Sequence, residues 1–262
     1  MTALVFVLGV VFASFLSMLI IRLEGGLHSR FKLSKVLGFG KYSCSFCDSC
    51  KNKLRWWENV PIISFLVLKG RCRTCRSPIP CWYPAVELET GIIFLLTYLF
   101  WQKESAGYFG LILFLLISAL LVFIFVFDAR NQIIPDRAVV GLLLLTLIVK
   151  LIFGFSPADL YLGLGSFFFL LFLFLVTRGK GMGFGDVKFA FFMGLFLGWP
   201  KTLVAFYLAF LTGALVGVIM ILGKRAKLKQ KIAFGPFLVF GTFVSWWWGE
   251  MIFNAIIRWL NL

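Results

Sequence analysis

The segment KGMGFGDVKF, Lys180 to Phe189, sets one carboxylate, Asp186, among glycines between two strongly apolar stretches. A second, Asp128, follows the nineteen uncharged residues Phe109 to Phe127 and belongs to FDARNQIIPDRAVV, where Pro135 breaks the chain just before Asp136. An ionisable side chain in or beside a membrane span is costly and by default marks function. Two carboxylates from different helices that meet where water is scarce share one proton, because ionising both is unfavourable. One can then activate water as a general base while the other, protonated, polarises a carbonyl. That is aspartic-protease chemistry, and its pKa values belong to the pair rather than to either residue.

Thiols offer a second chemistry. CSFC (Cys44, Cys47) and CRTC (Cys72, Cys75) form a CxxC pair, with Cys50 and Cys81 as extras. Four thiolates from two such knuckles close a tetrahedron around Zn²⁺. The alternative is redox-active or structural thiols, and disulfides need an oxidising compartment. The sole histidine, His28, lies well upstream and reads as a surface residue. Other chemistries drop out: HExxH is absent, one histidine cannot furnish a metalloprotease site, and GKGMGFG follows an apolar helix rather than the strand a dinucleotide loop needs.

The remaining acids divide by position. Glu87 and Glu89 enter a span, and Asp136 reads as an N-terminal cap after Pro135. Glu24, Asp48, Glu58, Glu104 and Asp159 read as loop residues, and Glu250 as interfacial.

The elements that carry these groups are apolar helices. The chain of 262 residues is 61% hydrophobic, with a mean hydropathy of +0.98, far outside the range of a soluble domain. Uncharged runs of spanning length occur at Ala3 to Ile21, Phe109 to Phe127, Leu160 to Thr177 and Thr202 to Leu222. Less clean ones lie near Val86 to Trp101, Ala138 to Phe155, Phe189 to Trp199 and Phe234 to Ile257. The predicted architecture is an all-α polytopic membrane protein of about eight transmembrane helices. Residues 1–21 form the first helix, 22–84 a cysteine-rich insert between helices one and two, and 85–262 the membrane domain holding the aspartates.

Net charge is +15, yet with Met1 outside, only Lys103, Lys150, Lys201 and Arg258 of the 26 basic residues fall on the outer side. This positive-inside bias places the insert in the cytoplasm and the N-terminus outside, and the basic charge faces lipid rather than nucleic acid. A cytoplasmic insert favours metal over disulfides. It is too small to bury much core, so the metal would also supply folding energy. The first segment lacks a basic n-region and reads as a retained helix rather than a signal peptide. From Val187 to Trp199 runs about 20 Å of helix at 1.5 Å per residue, which sets Asp186 roughly 10 Å below the cytoplasmic boundary.

GMGFGDVK resembles the GxGD signature of type IV prepilin peptidases, and FDARNQIIPD is similar to their other aspartate segment. The insert from Cys44 to Glu87 and FGPFLVFG, Phe234 to Gly241, also resemble family stretches. The resemblance implies that Asp128 and Asp186 are the catalytic pair of an intramembrane aspartic endopeptidase in the bacterial cytoplasmic membrane. It implies removal of the basic leader of prepilins and pseudopilins after a glycine at the cytoplasmic face. It further implies methylation of the new N-terminus from S-adenosylmethionine, and Cys44, Cys47, Cys72 and Cys75 as metal ligands. Glu87 matches the glutamate of the family's Tyr-Pro-x-x-Glu stretch, there to bind the substrate amine or to pair with a basic loop residue.

One departure bears on the second activity. Where the family's first helix reads Gly-Ser-Phe-Leu-Asn, this chain has Ala13 to Ser17, ASFLS, so a hydroxyl replaces an amide. A peptidase without methyltransferase activity is therefore a second expectation. A non-enzymatic, zinc-organised membrane scaffold or transporter, using its acids to relay protons or ions, is a third.

Overall fold

The computed structural model describes residues 1–27, 46–47, 49–102, 107–179, 181–223 and 233–259. The described residues form α-helices, short turns and no strand. In chain order the helices are α1 (Thr2–Leu27), the short α2 (Ile63–Val67), α3 (Trp82–Trp101), α4 (Gly107–Asn131) and α5 (Asp136–Phe153). They continue with α6 (Pro157–Val176), α7 (Phe184–Leu197), α8 (Lys201–Leu222) and α9 (Gly235–Trp259). A 3-10 turn at Trp56–Asn59 precedes α2.

Each of the eight predicted spans corresponds to one long helix, and five, α1, α3, α4, α6 and α8, are long and apolar enough to cross a bilayer. This is a multi-pass membrane protein. The other three depart from a simple span for identifiable reasons. Asp136, Arg137 and Lys150 load the 18 residues of α5 with charge, and Glu250, Arg258 and the tryptophans dilute α9. At 14 residues, α7 covers only about 21 Å. It tolerates that length because protein encloses it: Val187, Phe189, Ala190, Phe192 and Met193 are all fully buried.

The chain divides into two compact units, Met1–Ser105 and Ala106–Leu262. In the first, α1 packs along α3, so α3 belongs with the first helix and the insert. Glycines set how close the two helices come: a Cβ on Gly9 would fall 2.9 Å from the Thr90 carbonyl oxygen, and one on Gly91 2.6 Å from Val10. Such small-residue contacts let membrane helices gain packing energy where lipid offers no hydrophobic drive.

In the second unit α7 is the hub, contacting α5, α6, α8 and α9, while α9 also lies on α4 and α8. α6 and α7 come so close that a Cβ on Gly194 would meet the backbone of Leu162 and Gly163. That contact holds the helix bearing Asp186 in place. An Asp159 to Lys150 ion pair of 2.8 Å links α5 to the start of α6, where the Ser156 hydroxyl caps α6 by accepting the Ala158 N–H.

Candidate active site and thiol cluster

Asp128 lies in the last turn of α4, after an unbroken apolar run, and is 4% exposed. Its Oδ2 accepts the backbone N–H of Gly235 at 3.0 Å. Gly235 opens α9, so the carboxylate faces the unpaired amides and positive end of a 25-residue helix. Only glycine fits there, because an added Cβ would stand 2.5 Å from the carboxylate oxygen it serves.

Asp186 is the third residue of α7 and 5% exposed. It reaches back so that Oδ2 accepts the Gly183 N–H at 2.8 Å, as an acid at the third position of a capping box does. Asp186 thus sits in helical backbone, and the irregular glycine segment lies before it. One residue earlier, Gly185 lets the Ile134 stretch pass directly over the first turn, since a Cβ there would come within 2.9 Å of Ile134 Cβ. This crossing joins the linker after α4 to the start of α7.

The two aspartates therefore line one cavity of about 230 Å³, shared with Gln132, Ile134, Met182 and Phe234. Each is fixed through Oδ2 by a glycine amide, while neither Oδ1 has a hydrogen-bond partner among the described residues. Two oriented, buried carboxyl groups with one oxygen apiece available can hold a water and a shared proton. Gly235→Ala is expected to push Asp128 off its amide and lower any activity of the pair by about a hundredfold or more, with the protein still folded. Turnover measured against helix content by circular dichroism checks this.

Two sequence expectations need correction. Asp136 is the first residue of α5 rather than its side-chain cap; Pro135 holds the cap position. The Asp136 carboxylate instead pairs with Lys188 at 2.7 Å, tying α5 to α7. Lys188 is accordingly directed to Asp136, with the Phe184 ring 5.1 Å away. Glu87 is held by no basic residue among the described contacts: its carboxylate is buried and accepts the Ile62 N–H at 2.8 Å.

In the insert, Cys47, Cys50, Cys72 and Cys75 converge, with all four sulfurs within 4.8 Å of one another. Cys44 and His28 lie outside the described residues, and Cys81 precedes α3, apart from the cluster. The two halves repeat at a shift of 25 residues, Cys47 onto Cys72. Cys47 N–H donates to Asn52 and Cys72 N–H to Ser77; Lys51 N–H donates to Cys47 and Arg76 N–H to Cys72. Bridges Phe46↔Lys53 and Arg71↔Pro78 close each knuckle, and Lys51 and Arg76 share a positive φ of 56° and 55°.

A tetrahedral metal with four sulfurs at about 2.3 Å needs sulfur–sulfur edges of about 3.8 Å, the Cys47 to Cys75 separation. The residues present therefore fit such an ion. The Ser77 hydroxyl and amide push the Cys75 thiol down to about 6, toward the thiolate a metal binds. The Asn52 amide favours a Cys50 thiolate too, but burial and the neighbouring sulfurs hold that thiol up at about 11. A dication removes that opposition.

Glu58 braces the second knuckle. Its buried carboxylate accepts the Arg55 N–H at 2.6 Å and Arg73 Nε at 2.7 Å. Burial alone would raise its pKa, but these partners more than offset that and hold it below the usual range. A lowered carboxyl contributes stability present above its unfolded pKa and lost as pH falls through the folded one. Glu58→Gln is expected to cost about 1 kcal/mol at neutral pH, because Arg73 is partly exposed and screened. The deficit relative to the parent should close on acidification, as read by hydrogen exchange of the insert amides.

Comparison with known proteins divides the chain as the structure does. Residues 7–101 match the bacterial peptidase A24 N-terminal domain, and residues 114–218 match the type IV leader peptidase family. Proteins named prepilin leader peptidase/N-methyltransferase are similar over most of the chain. That of Pseudomonas aeruginosa is 33% identical over 222 residues, covering 82% of this chain and 74% of its own. That of Legionella pneumophila is 32% identical over 228 residues, covering 81% and 75%. That of Neisseria gonorrhoeae is 32% identical over 225 residues, covering 83% and 75%. No solved structure matches. With the two aspartates on one cavity and the relatives aligned across both units, the chain belongs to the type IV leader peptidase family.

Proposed function

We propose that the protein is an intramembrane aspartic endopeptidase that cleaves the basic leader from type IV prepilins or pseudopilins after a glycine, using Asp128 and Asp186. The observation that carries this reading is the convergence of two buried carboxylates from different helices on one cavity, each oriented by a glycine amide. Both lie at the same end of their unit, the C-terminus of α4 and the N-terminus of α7. Under the positive-inside rule that end is cytoplasmic, with the N-terminus outside, eight crossings and the protein in the bacterial inner membrane.

Substrate would lie with its apolar segment along the enzyme's helices and its basic leader in the cytoplasm, which brings the scissile bond to the cavity mouth. One carboxylate takes a proton from water held between the two Oδ1 atoms as the water adds to the carbonyl. The other carboxyl polarises that carbonyl and then protonates the departing amine. The glycine amides keep both Oδ2 atoms fixed throughout, so the reaction incurs little reorganisation.

The insert would bind Zn²⁺ through Cys47, Cys50, Cys72 and Cys75, and the metal would supply the folding energy that its small core lacks. The relatives are also named N-methyltransferases, and the proposed acceptor is the new N-terminus, for which S-adenosylmethionine would supply an activated methyl group. On α1 the Ser17 hydroxyl is buried and has no hydrogen-bond partner among the described residues, so it can serve a polar ligand. A hydroxyl offers less than the amide usual in the family at this position, which motivates cleavage without methylation as the second reading.

Intact-mass analysis of a prepilin-like substrate after incubation with the purified protein separates the readings. Leader loss plus about 14 Da with S-adenosylmethionine, one methyl group, is the expected product. Leader loss alone establishes a peptidase without methyl transfer, and an untouched substrate rejects both.

A further inference from the structure

Three neighbouring aliphatic side chains of the insert stand in the open: Ile63 is 61% exposed, Leu66 67% and Val67 65%. Single exposed apolar residues are ordinary, but three on one helix of five residues make a patch that needs a cover. Their depth follows from one hydrogen bond. The residue before Ile63 is Ile62, whose N–H is bound by the buried carboxylate of Glu87.

Glu87 lies in the second turn of α3, about 7 Å along the axis from Trp82. The 20 residues of α3 make about 30 Å, just the thickness of the hydrocarbon core. Aromatic pairs mark its two ends as interfacial, Trp82 stacked on Tyr83 and Tyr98 on Trp101. The start of α2 is therefore pinned beside the first two turns of a membrane-spanning helix, at a level where water gives way to lipid. Charge agrees with that placement: exposed Lys69 and Arg71 follow α2, and neither makes an ion pair among the described residues.

We propose that α2 is an interfacial wedge: Ile63, Leu66 and Val67 enter the boundary between headgroups and acyl chains beside α3, and Lys69 and Arg71 meet anionic headgroups. The cover for the patch is the bilayer itself. The insert then has three attachments to the membrane, α1, α3 and the wedge, which fix its orientation against the surface.

The test keeps the full chain and its six cysteines. A ketone-bearing amino acid replaces Leu66 or Val67, is spin-labelled through the ketone, and the protein is reconstituted in phosphatidylethanolamine–phosphatidylglycerol vesicles. Both side chains are exposed, so two independent sites guard against one misfolding; Asn52, exposed on the first knuckle, serves as the aqueous reference. At positions 66 and 67, oxygen dissolved in lipid is expected to relax the label several-fold more than a water-soluble nickel chelate, with the opposite order at 52. Exchanging phosphatidylglycerol for a zwitterionic lipid should lower the ratio at 66, and an unchanged ratio would overturn the headgroup contact. Relaxation dominated by nickel at both sites would place α2 in water. A label shielded from both reagents would mean that protein, another helix or a second copy, covers the patch; either result overturns the wedge.

Discussion

Asp128→Asn, Asp186→Asn and the double variant are expected to cleave a prepilin-like substrate at one common background rate, at least about a thousandfold below the parent. Asparagine keeps the size of the side chain and still offers an oxygen to the amide of Gly235 or Gly183. Folding and cavity shape are thereby retained while the ionisable group is lost. The equality of single and double variants follows from shared work: once either carboxyl cannot take or give the proton, the remaining one has no partner to act with. Additive losses would mean that the two act separately. Burst-free single-turnover kinetics in a bilayer, beside a circular dichroism spectrum of each variant, supplies the comparison.

The second large effect lies in the insert. With the proposed zinc on Cys47, Cys50, Cys72 and Cys75, Cys50→Ser, like Cys72→Ser, is expected to abolish metal binding and make the insert sensitive to protease, whereas Cys44→Ser keeps the metal. A structural zinc site in a small module is worth on the order of 10 kcal/mol, more than such a module's own stability. The loss should therefore appear as local unfolding rather than as a small shift in melting. The discrimination between Cys44 and Cys50 rests on the matched knuckles: their hydrogen bonds coincide at Cys47 with Cys72 and their left-handed residues at Lys51 with Arg76, and the same shift of 25 residues sets Cys50 opposite Cys75 in the thiol cluster. Zinc content by elemental analysis of each purified variant, with limited proteolysis beside it, decides.

Helices are legible because their signal is dense: long uncharged runs place α4, α6 and α8 within about four residues of where they occur, while α1 runs on past its uncharged run through Arg22 and Glu24 to Leu27. The aspartates were legible for the same reason, since a carboxylate bordering such a run has few structural explanations. What could not be read was partnership. Nothing local says that the amide serving Asp128 comes from Gly235, more than a hundred residues away, or that Lys188 turns from its near neighbour Asp186 to Asp136. Nor does hydropathy show that α3 packs with α1, a choice made by the fit of Gly9 against Gly91.

Cys50, which joins the thiol cluster of the described residues, does carry a signal in the sequence. CSFCDSCK contains two overlapping CxxC registers, and only the one at Cys47 and Cys50 is followed by a basic residue, Lys51, as Cys72 and Cys75 are followed by Arg76. Those basic residues are the ones that adopt positive φ to close each knuckle. In the sequence Glu58 reads as a loop residue, because its partner Arg73, between the second pair of thiols, comes to it only through the folded insert.

Three acids, Asp128, Asp136 and Asp186, gather near one end of the second unit; in the proposed reaction the first and third do the chemistry while Asp136 only ties α5 to α7. The most direct measurement is the mass spectrum of a leader-bearing substrate after prolonged incubation with purified Asp186→Asn, beside Asp136→Asn. An intact substrate is expected from Asp186→Asn and a leader-free product from Asp136→Asn. Leader-free product from Asp186→Asn would contradict the proposed reaction.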